Sequence, residues 1–191
     1  GRFRVNAFRQ RGSTAFVVRV LRSQVPRLEE LGLPPAVGEM AKKRAGLLLV
    51  TGATGSGKSS TLAAIVGRIN ETVAGHVITL EDPVEFLHRH QRCIVNQREI
   101  ESDTVSFAEG IRAALREDPD VIVLGELRDL ETATTALSAA ETGHLVLATI
   151  HAPRVNLAIS RFVDLFPFAY QQQARAQLSD VVEGIIAQQL L

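Results

Sequence analysis

The feature that most constrains the fold of this chain is the stretch of residues 46 to 61, GLLLVTGATGSGKSST. An apolar run, Leu47 to Val50, leads into GATGSGKS at residues 52 to 59, which matches the phosphate-binding pattern GxxxxGK[ST] at every fixed position. The pattern predicts a buried strand, a glycine-rich loop and then a helix from about Gly57 to Val73. A glycine-rich turn without a ligand is the alternative, and the predicted strand and helix on either side of the loop argue against it.

The residue types in this loop suit the phosphates of a nucleotide. Glycines at 52, 55 and 57 let the backbone turn tightly and point its N–H groups at phosphate oxygens. Lys58 would reach the β- and γ-phosphates, and Ser59 would give Mg²⁺ a hydroxyl ligand. The helix that follows directs the positive end of its dipole at the same phosphates. The predicted nucleotide-binding residues are Thr54, Gly55, Ser56, Gly57, Lys58, Ser59 and Ser60.

The composition limits the kinds of protein that this chain can be. Its 191 residues suffice for one α/β domain and a fragment of another, and 46% of them are hydrophobic, which supports a sizeable core. The 21 basic and 21 acidic residues balance, so no general attraction to nucleic acid is expected. The single cysteine, Cys93, rules out an internal disulfide and fits a reducing cytoplasm, with Cys93 as an unreactive strand residue. No apolar run is long enough to span a membrane.

The N-terminal part of the chain is predicted to be separate from the rest. Residues 2 to 8 alternate between apolar and polar side chains, a turn follows at Arg11 to Ser13, and a second strand is predicted from Thr14 to Leu21. Because a lone hairpin is marginally stable in water, we expect residues 1–21 to be the end of an N-terminal domain whose remainder is absent. The segment 22–35, rich in proline, is predicted to be a linker.

From residue 36 to residue 191 we predict one α/β domain, truncated at its C-terminal end. A short helix from Pro35 to about Arg44 comes first. Thr104 or Ser106 is expected to cap the helix at 106–117, and Gly143 is expected to end the helix at 129–142. Strands are predicted at 47–50, 76–80, 121–124 and 145–150, with an edge hairpin around 92–97, and helices at 57–73, 106–117, 129–142, 155–165 and 169–190. This alternation is typical of a mostly parallel sheet covered on both faces by helices.

Polar residues follow the predicted strands where a ligand would bind. In an open parallel sheet the site lies beyond the carboxyl ends of the strands, and three strands besides the one before the glycine loop end at Glu81-Asp82, Glu126 and His151. Glu81 is the first candidate to orient and deprotonate a water that attacks a γ-phosphate. Glu126 is either the competing base or the group that holds Mg²⁺ through water. Gly125 stands before it, where an aspartate is usual.

Each of these candidates has a structural alternative. The structural alternative for the acidic residues is a solvated turn that contains Glu81, Asp82 and Glu85. His151 either senses the γ-phosphate, contacts a neighbouring subunit or is structural, and His144 is expected to be structural. For each arginine near the candidate site a solvated surface position is the expectation, and a position in the site of a neighbouring subunit is the alternative. The arginines considered are Arg2, Arg4, Arg9, Arg11, Arg112, Arg116 and Arg128.

Four separated blocks of the sequence resemble the motifs of the secretion ATPase superfamily. GATGSGKSST from residue 52 resembles the Walker A motif, ITLEDPVEF at 78–86 the Asp box, REDPDVIVLGELRD at 116–129 the Walker B motif, and TGHLVLATIHA at 142–152 the His box. The resemblance implies that Lys58 and Ser59 bind nucleotide and Mg²⁺. It also implies that Glu81 is the catalytic carboxylate, Glu126 the Walker B acid and His151 the His-box residue. Ala152-Pro153 follows this histidine where the family usually has threonine.

The C-terminal segment, RFVDLFPFAYQQQARAQLSDVVEGIIAQQLL at 161–191, resembles the twitching-motility, pilus-retraction branch of the superfamily. The resemblance implies a RecA-like P-loop core preceded by the terminal hairpin of a truncated PAS-like domain. It further implies a homohexamer that hydrolyses ATP with Mg²⁺ and drives type IV pilus disassembly, bound to an inner-membrane platform protein on its cytoplasmic face. The alternatives are a type II secretion or pilus-assembly ATPase, a nucleic-acid translocase on the same core, and a nucleotide-gated scaffold.

Overall fold

A computed structural model describes residues 2–21 and 24–190, and the chain begins in it with an antiparallel hairpin. Strand β1 (Arg2–Gln10) pairs with β2 (Ser13–Leu21). Arg11 and Gly12 in the turn both have positive φ, 47° and 78°, as the favoured two-residue hairpin turn requires. The predicted hairpin is confirmed, and its apolar side chains are mostly exposed, with Phe16 at 63% and Val20 at 70%.

A short connection leads from the hairpin to the main sheet. Its 3-10 helix, Leu28–Leu31, buries Leu28 against the core. Helix α1 (Pro35–Met40) begins at the predicted proline but ends at Met40 rather than near Arg44. Gly46, with a φ of 104°, then leads the chain into the sheet. Parts of the predicted segments lie outside the described residues: Gly1, residues 22–23 of the linker, Leu191 and the side chains of Arg2 and Leu21.

A six-stranded parallel sheet forms the centre of the α/β unit. Its strands are β3 (Gly46–Gly52), β4 (Gly75–Glu81), β5 (Cys93–Glu99), β6 (Val121–Leu124), β7 (Leu145–Ile150) and β8 (Val182–Gln188). Their order across the sheet is β5-β4-β6-β7-β3-β8, and every neighbouring pair is parallel. The predicted strands β3, β4, β6 and β7 are confirmed. Because these strands are parallel, their carboxyl ends lie together at one end of the sheet, where a ligand site is expected.

Helices cover both faces of the sheet, as predicted. They are α2 (Lys58–Thr72), α3 (Phe107–Ala114), α4 (Leu130–Glu141), α5 (Val155–Asp164) and α6 (Gln171–Val181), with a 3-10 helix at Phe168–Tyr170. One apolar core joins the sheet to α3, α4, α5 and α6, and a second joins it to α1 and α2. Ser106 caps α3 by accepting the Glu109 N–H at 3.2 Å, and Gly143, with a φ of 100°, follows α4. Among the described residues, no helix combines the length and apolar character that crossing a membrane requires.

The edge hairpin predicted around residues 92–97 is wrong. This segment is the single edge strand β5, which pairs in parallel with β4. Asn70 of α2 sets where the strand begins, because its Oδ1 accepts the N–H groups of Gln91 and Cys93 at 3.1 and 3.2 Å. That tertiary contact leaves no local signal in the sequence, so the pairing was missed. Cys93 lies buried on this strand, and burial raises the pKa of its thiol.

The helix predicted at 169–190 is wrong in its second half. Helix α6 ends at Val181, and the chain continues as β8 along the open edge of β3. Gly184 is a poor helix former, and the β-branched Ile185 and Ile186 favour a strand. A Cβ at position 184 would lie 2.7 Å from the terminal methyl carbon of Met40, so glycine also permits close packing against α1. Strand pairing to β3 therefore outweighs the helical pattern.

Candidate nucleotide-binding and catalytic site

The polar residues at the carboxyl ends of the strands surround one cavity of about 620 Å³. Its wall includes Lys58 and Ser59 from the glycine loop, Glu81 at the end of β4, Glu126 after β6 and His151 after β7. Cavities of this size accommodate small-molecule ligands. The structure therefore brings together the residues that the sequence pattern singled out on separate strands.

The glycine loop between β3 and α2 is shaped to receive an anion. Gly55 and Gly57 have φ of 81° and 92°, in the left-handed region that other residues disfavour. Gly57 is the N-cap of α2, and no side chain caps this helix end. The first amides of the helix and its dipole therefore present positive charge at the cavity, which is the arrangement that binds phosphate.

The loop residues divide between those that face the cavity and one that supports the loop. Six of the seven predicted nucleotide-binding residues line the cavity: Thr54, Gly55, Gly57, Lys58, Ser59 and Ser60. Ser56 does not, and its buried hydroxyl has no hydrogen-bond partner among the described residues. A Cβ at Gly52 would lie 2.3 Å from the Ser56 oxygen, so the absence of a side chain at Gly52 lets Ser56 tuck beneath the loop.

Lys58 lies at the floor of the cavity and is almost fully buried. Its Nζ donates hydrogen bonds to the carbonyl oxygens of Gly52 at 3.1 Å and Ala53 at 2.9 Å. Burial lowers the pKa of Lys58, and the negative charge of Glu126 opposes that effect. The ammonium group is thus held by the loop's own carbonyls, in a position from which it can turn to a phosphate oxygen.

Glu81 ends β4 with its carboxylate held by neighbouring donors. Its Oε1 accepts a hydrogen bond from the Thr79 hydroxyl at 2.6 Å and another from the Gln97 amide at 3.1 Å. Burial raises the pKa of Glu81, and these hydrogen bonds act in the opposite direction because they stabilise the charged form. A carboxylate with a raised pKa beside a ligand cavity is suited to accept a proton.

Glu126 is the centre of a second polar group in the cavity. Its Oε1 lies 3.1 Å from His151 Nε2, and its Oε2 accepts a hydrogen bond from Arg128 Nε. The other ring nitrogen of His151, Nδ1, lies 3.5 Å from Lys58 Nζ. A neutral imidazole with its proton on Nε2 satisfies both contacts, since it donates to the carboxylate and accepts from the ammonium. His151 therefore connects Lys58 to Glu126.

Comparison with known proteins identifies the family to which these features belong. The sequence profile of the type II/IV secretion system protein family matches residues 1–191. The chain belongs to this family. It is 53% identical over 189 residues to the Escherichia coli protein YggR, an alignment that covers 99% of the chain and 58% of YggR. It is 48% identical over 190 residues to the type IV pilus retraction ATPase PilT of Pseudomonas aeruginosa, covering 100% of the chain and 55% of PilT.

The fold of this family member also matches a solved structure. A crystal structure of the pilus retraction motor PilT with bound ADP is similar with a TM-score of 0.96 and 54% identity, over 100% of the chain and 56% of that structure. The predicted superfamily, the similarity to its retraction branch and the α/β P-loop fold are confirmed. The chain spans a little more than half the length of these relatives.

Three buried threonines in this type II/IV secretion family member were missed by sequence reasoning. The Thr51 hydroxyl donates to the Ala152 carbonyl at 2.5 Å and accepts the Ala152 N–H at 3.1 Å. Thr149 donates to the Gly125 carbonyl at 2.5 Å, and Thr79 bonds Glu81 as described. A polar residue near the end of an otherwise apolar strand was the available signal. Through these two bonds Thr51 fixes the backbone of Ala152, which follows His151 and stands where the family usually has threonine.

The remaining candidates lie in different places. His144 directly precedes β7, at the opposite end of the strands from the cavity, where its Nδ1 contacts the Ala139 carbonyl at 3.0 Å, a structural role. Arg112 forms a surface ion pair with Glu131, whereas Arg128 reaches the site. Over residues 2–21 and 24–190, no cluster of three or more His, Cys, Asp or Glu side chains is arranged to hold a metal ion. Mg²⁺ does not require such a cluster, because it commonly takes only one or two ligands from the protein and completes its coordination with phosphates and water.

Proposed function

We propose that this chain is the catalytic core of an ATP-hydrolysing, Mg²⁺-dependent hexameric motor that powers type IV pilus retraction. The observation that carries the proposal is one cavity with a buried Lys58 at its floor and Glu81 and Glu126 on its wall. Similarity to a protein named as a pilus retraction ATPase, and to a PilT structure with bound ADP, supports it. Because the chain spans only part of these relatives, activity, assembly and partners are proposed for the whole protein.

In the proposed reaction, the glycine loop binds the phosphates of ATP. The Lys58 ammonium exchanges the carbonyls of Gly52 and Ala53 for β- and γ-phosphate oxygens, an attraction that is stronger in a buried site than in water. The Ser59 hydroxyl and, through water, Glu126 would hold Mg²⁺, which would neutralise charge on the phosphates. Ser59 and Glu126 both line the cavity, and a hydroxyl with a carboxylate is a donor set that Mg²⁺ accepts.

Glu81 is the proposed base. It orients the attacking water and accepts its proton as the water oxygen bonds to the γ-phosphorus, while the bond from that phosphorus to the bridging oxygen breaks and ADP leaves. His151 is the proposed sensor of the γ-phosphate. It contacts both Lys58 and Glu126, so a change of partner at Lys58 alters what His151 can bind.

The proposed organisation places the RecA-like ATPase domain at residues 36–191, the linker at 22–35 and the last hairpin of a PAS-like domain at 1–21. The exposed apolar side chains of Phe16 and Val20 support this, since such strand faces are normally covered. The proposed assembly is a homohexamer in the cytoplasm, peripherally associated with the inner membrane through a platform protein. The balanced formal charge argues against a nucleic-acid partner.

Phosphate release by the full-length protein tests the proposal. We expect Mg²⁺-dependent release by the wild type, and a decrease of at least about 100-fold in both Lys58→Ala and Glu81→Gln. Lys42→Ala and Glu131→Gln are matched controls, because both side chains belong to exposed surface ion pairs. If the wild type releases no more phosphate than Lys58→Ala, the motor proposal is wrong and a nucleotide-gated scaffold replaces it.

Two further assays separate the related functions. Complementation of a bacterial strain that cannot retract its pili should restore twitching with the wild type and fail with Glu81→Gln. Restored secretion without restored twitching would favour the type II secretion alternative. ATPase stimulation by DNA at low salt would favour a translocase.

A further inference from the structure

Gln97 lies on the edge strand β5, outside the four motif blocks, yet it contacts the proposed base. Its Nε2 donates hydrogen bonds to Glu81 Oε1 at 3.1 Å and to the Phe86 carbonyl at 2.8 Å. Its Oε1 accepts the backbone N–H of His88 at 2.8 Å. Three hydrogen bonds from one partly buried side chain fix its position.

The chemistry of these partners fixes which way the amide points. A backbone N–H, as at His88, can only donate, and a backbone carbonyl, as at Phe86, can only accept. The amide oxygen must therefore face His88 and the NH₂ group must face Glu81. Gln97 is consequently a donor to the Glu81 carboxylate, and this role does not depend on a choice between equivalent orientations.

Two strands supply donors to the same carboxylate oxygen. Thr79, two residues before Glu81 on β4, donates to Oε1 from its own strand, and Gln97 donates to Oε1 from β5. Unlike Thr79, Gln97 also binds the backbone of the segment 82–88, which contributes to the cavity wall next to Glu81. Loss of Gln97 would leave the carboxylate with Thr79 as a donor but without its link to β5, and would remove two hydrogen bonds that hold the segment beside it.

We propose that Gln97 is a positioning residue for hydrolysis: it orients the Glu81 carboxylate toward the attacking water and joins that carboxylate to the segment 82–88. The inference rests on the proposed function, because Glu81 needs a water to activate. The charged and titratable side chains that line the cavity together with this carboxylate are Arg19, Lys58, Asp82, Glu85, His88, Glu126, Arg128 and His151. A substitution at position 97 alters none of these side chains, so its effect on Glu81 comes from the lost donor and from the segment 82–88 that Gln97 holds.

The test compares Gln97→Met with Asn96→Met in the full-length protein. Both replace an amide on the same strand, but Asn96 is exposed and contacts His76. For Gln97→Met we expect kcat to fall by about tenfold or more, with KM for ATP within about twofold of the wild type, because binding of the phosphates is unaffected. Removing a donor to the carboxylate disfavours its charged form, so the acidic limb of the kcat–pH profile should move up by about one pH unit. Asn96→Met should match the wild type.

A second variant and a second readout keep the outcome clear if Gln97→Met folds poorly. Gln97→Glu retains an acceptor for the His88 N–H but replaces the donor with a like charge, so the acidic limb should move further in the same direction. Carbon-13 NMR of the Glu81 carboxyl group, assigned with Glu81→Gln, should show the same upward pKa change without turnover. A lower kcat at every pH with an unmoved limb and an unmoved NMR titration would overturn the positioning role. Absence of turnover in the wild type would instead refute the proposed function, and the NMR titration would still decide the contact.

Discussion

Replacing Thr51 with valine isolates the hydrogen bonds that fix the backbone beside His151. The Thr51 hydroxyl is fully buried and bonds both the carbonyl and the N–H of Ala152, a residue that is itself 3% exposed. Valine has the same shape but can make neither bond. Each buried backbone group left without a partner costs about 1–3 kcal/mol, and burial of the new methyl group returns up to about 1 kcal/mol. For the two groups together we therefore expect the free energy of unfolding to fall by about 1–6 kcal/mol.

Urea unfolding followed by far-ultraviolet circular dichroism measures this change, since the chain has no tryptophan for fluorescence. Thr134→Val is the matched control, because that exposed hydroxyl bonds only a carbonyl in its own helix, Leu130, at 2.8 Å. The control should lie within about 0.5 kcal/mol of the wild type. A Thr51→Val effect no larger than that of the control would refute the assignment of these hydrogen bonds as a structural support of the His151 backbone.

Three further changes test other parts of the structure. Asn70→Ala removes three hydrogen bonds to the backbone of residues 89–93 and should lower the free energy of unfolding by about 2–4 kcal/mol, with faster amide exchange at Cys93. Burial lowers the pKa of His88 to about 4, so as the pH falls the unfolded chain binds a proton at His88 at a higher pH than the folded chain does. The free energy of unfolding should therefore fall by about 1–2 kcal/mol from pH 7 to pH 5. In His88→Gln this component of the pH dependence should be lost. Phe162→Ala removes a fully buried ring 5.7 Å from that of Phe166 and should cost about 3–5 kcal/mol in urea unfolding, while Phe168→Ala, at a site 91% exposed, should cost less than about 0.5 kcal/mol.

Much of the fold could be predicted because its signals are local. Apolar runs before Gly52 and at Val121 to Leu124, each followed by polar residues, locate parallel strands without knowledge of their neighbours. The segments at 92–97 and 182–188 could not be assigned in this way. Each becomes an edge strand through a distant contact, with Asn70 holding the start of one and β3 pairing with the other.

The candidate site shows the same division. The strand-end positions of Glu81, Glu126 and His151 follow from topology, so the sequence predicts that they meet. The groups that hold them in place were not predictable, because Gln97 reaches Glu81 from a strand whose pairing was itself missed. The contact from His151 to both Lys58 and Glu126 depends on side-chain geometry that no spacing in the sequence reveals.

The central claim is that the glycine loop and Lys58 bind a nucleoside triphosphate. Titration calorimetry of the folded full-length protein with ATP, in the presence and absence of Mg²⁺, tests it most directly. The account predicts Mg²⁺-dependent binding by the wild type and by Lys42→Ala, with affinity at least about tenfold weaker in Lys58→Ala because a charge-assisted contact is lost. No uptake of Mg²⁺-ATP by the wild type, or equal affinity in Lys58→Ala, would contradict it.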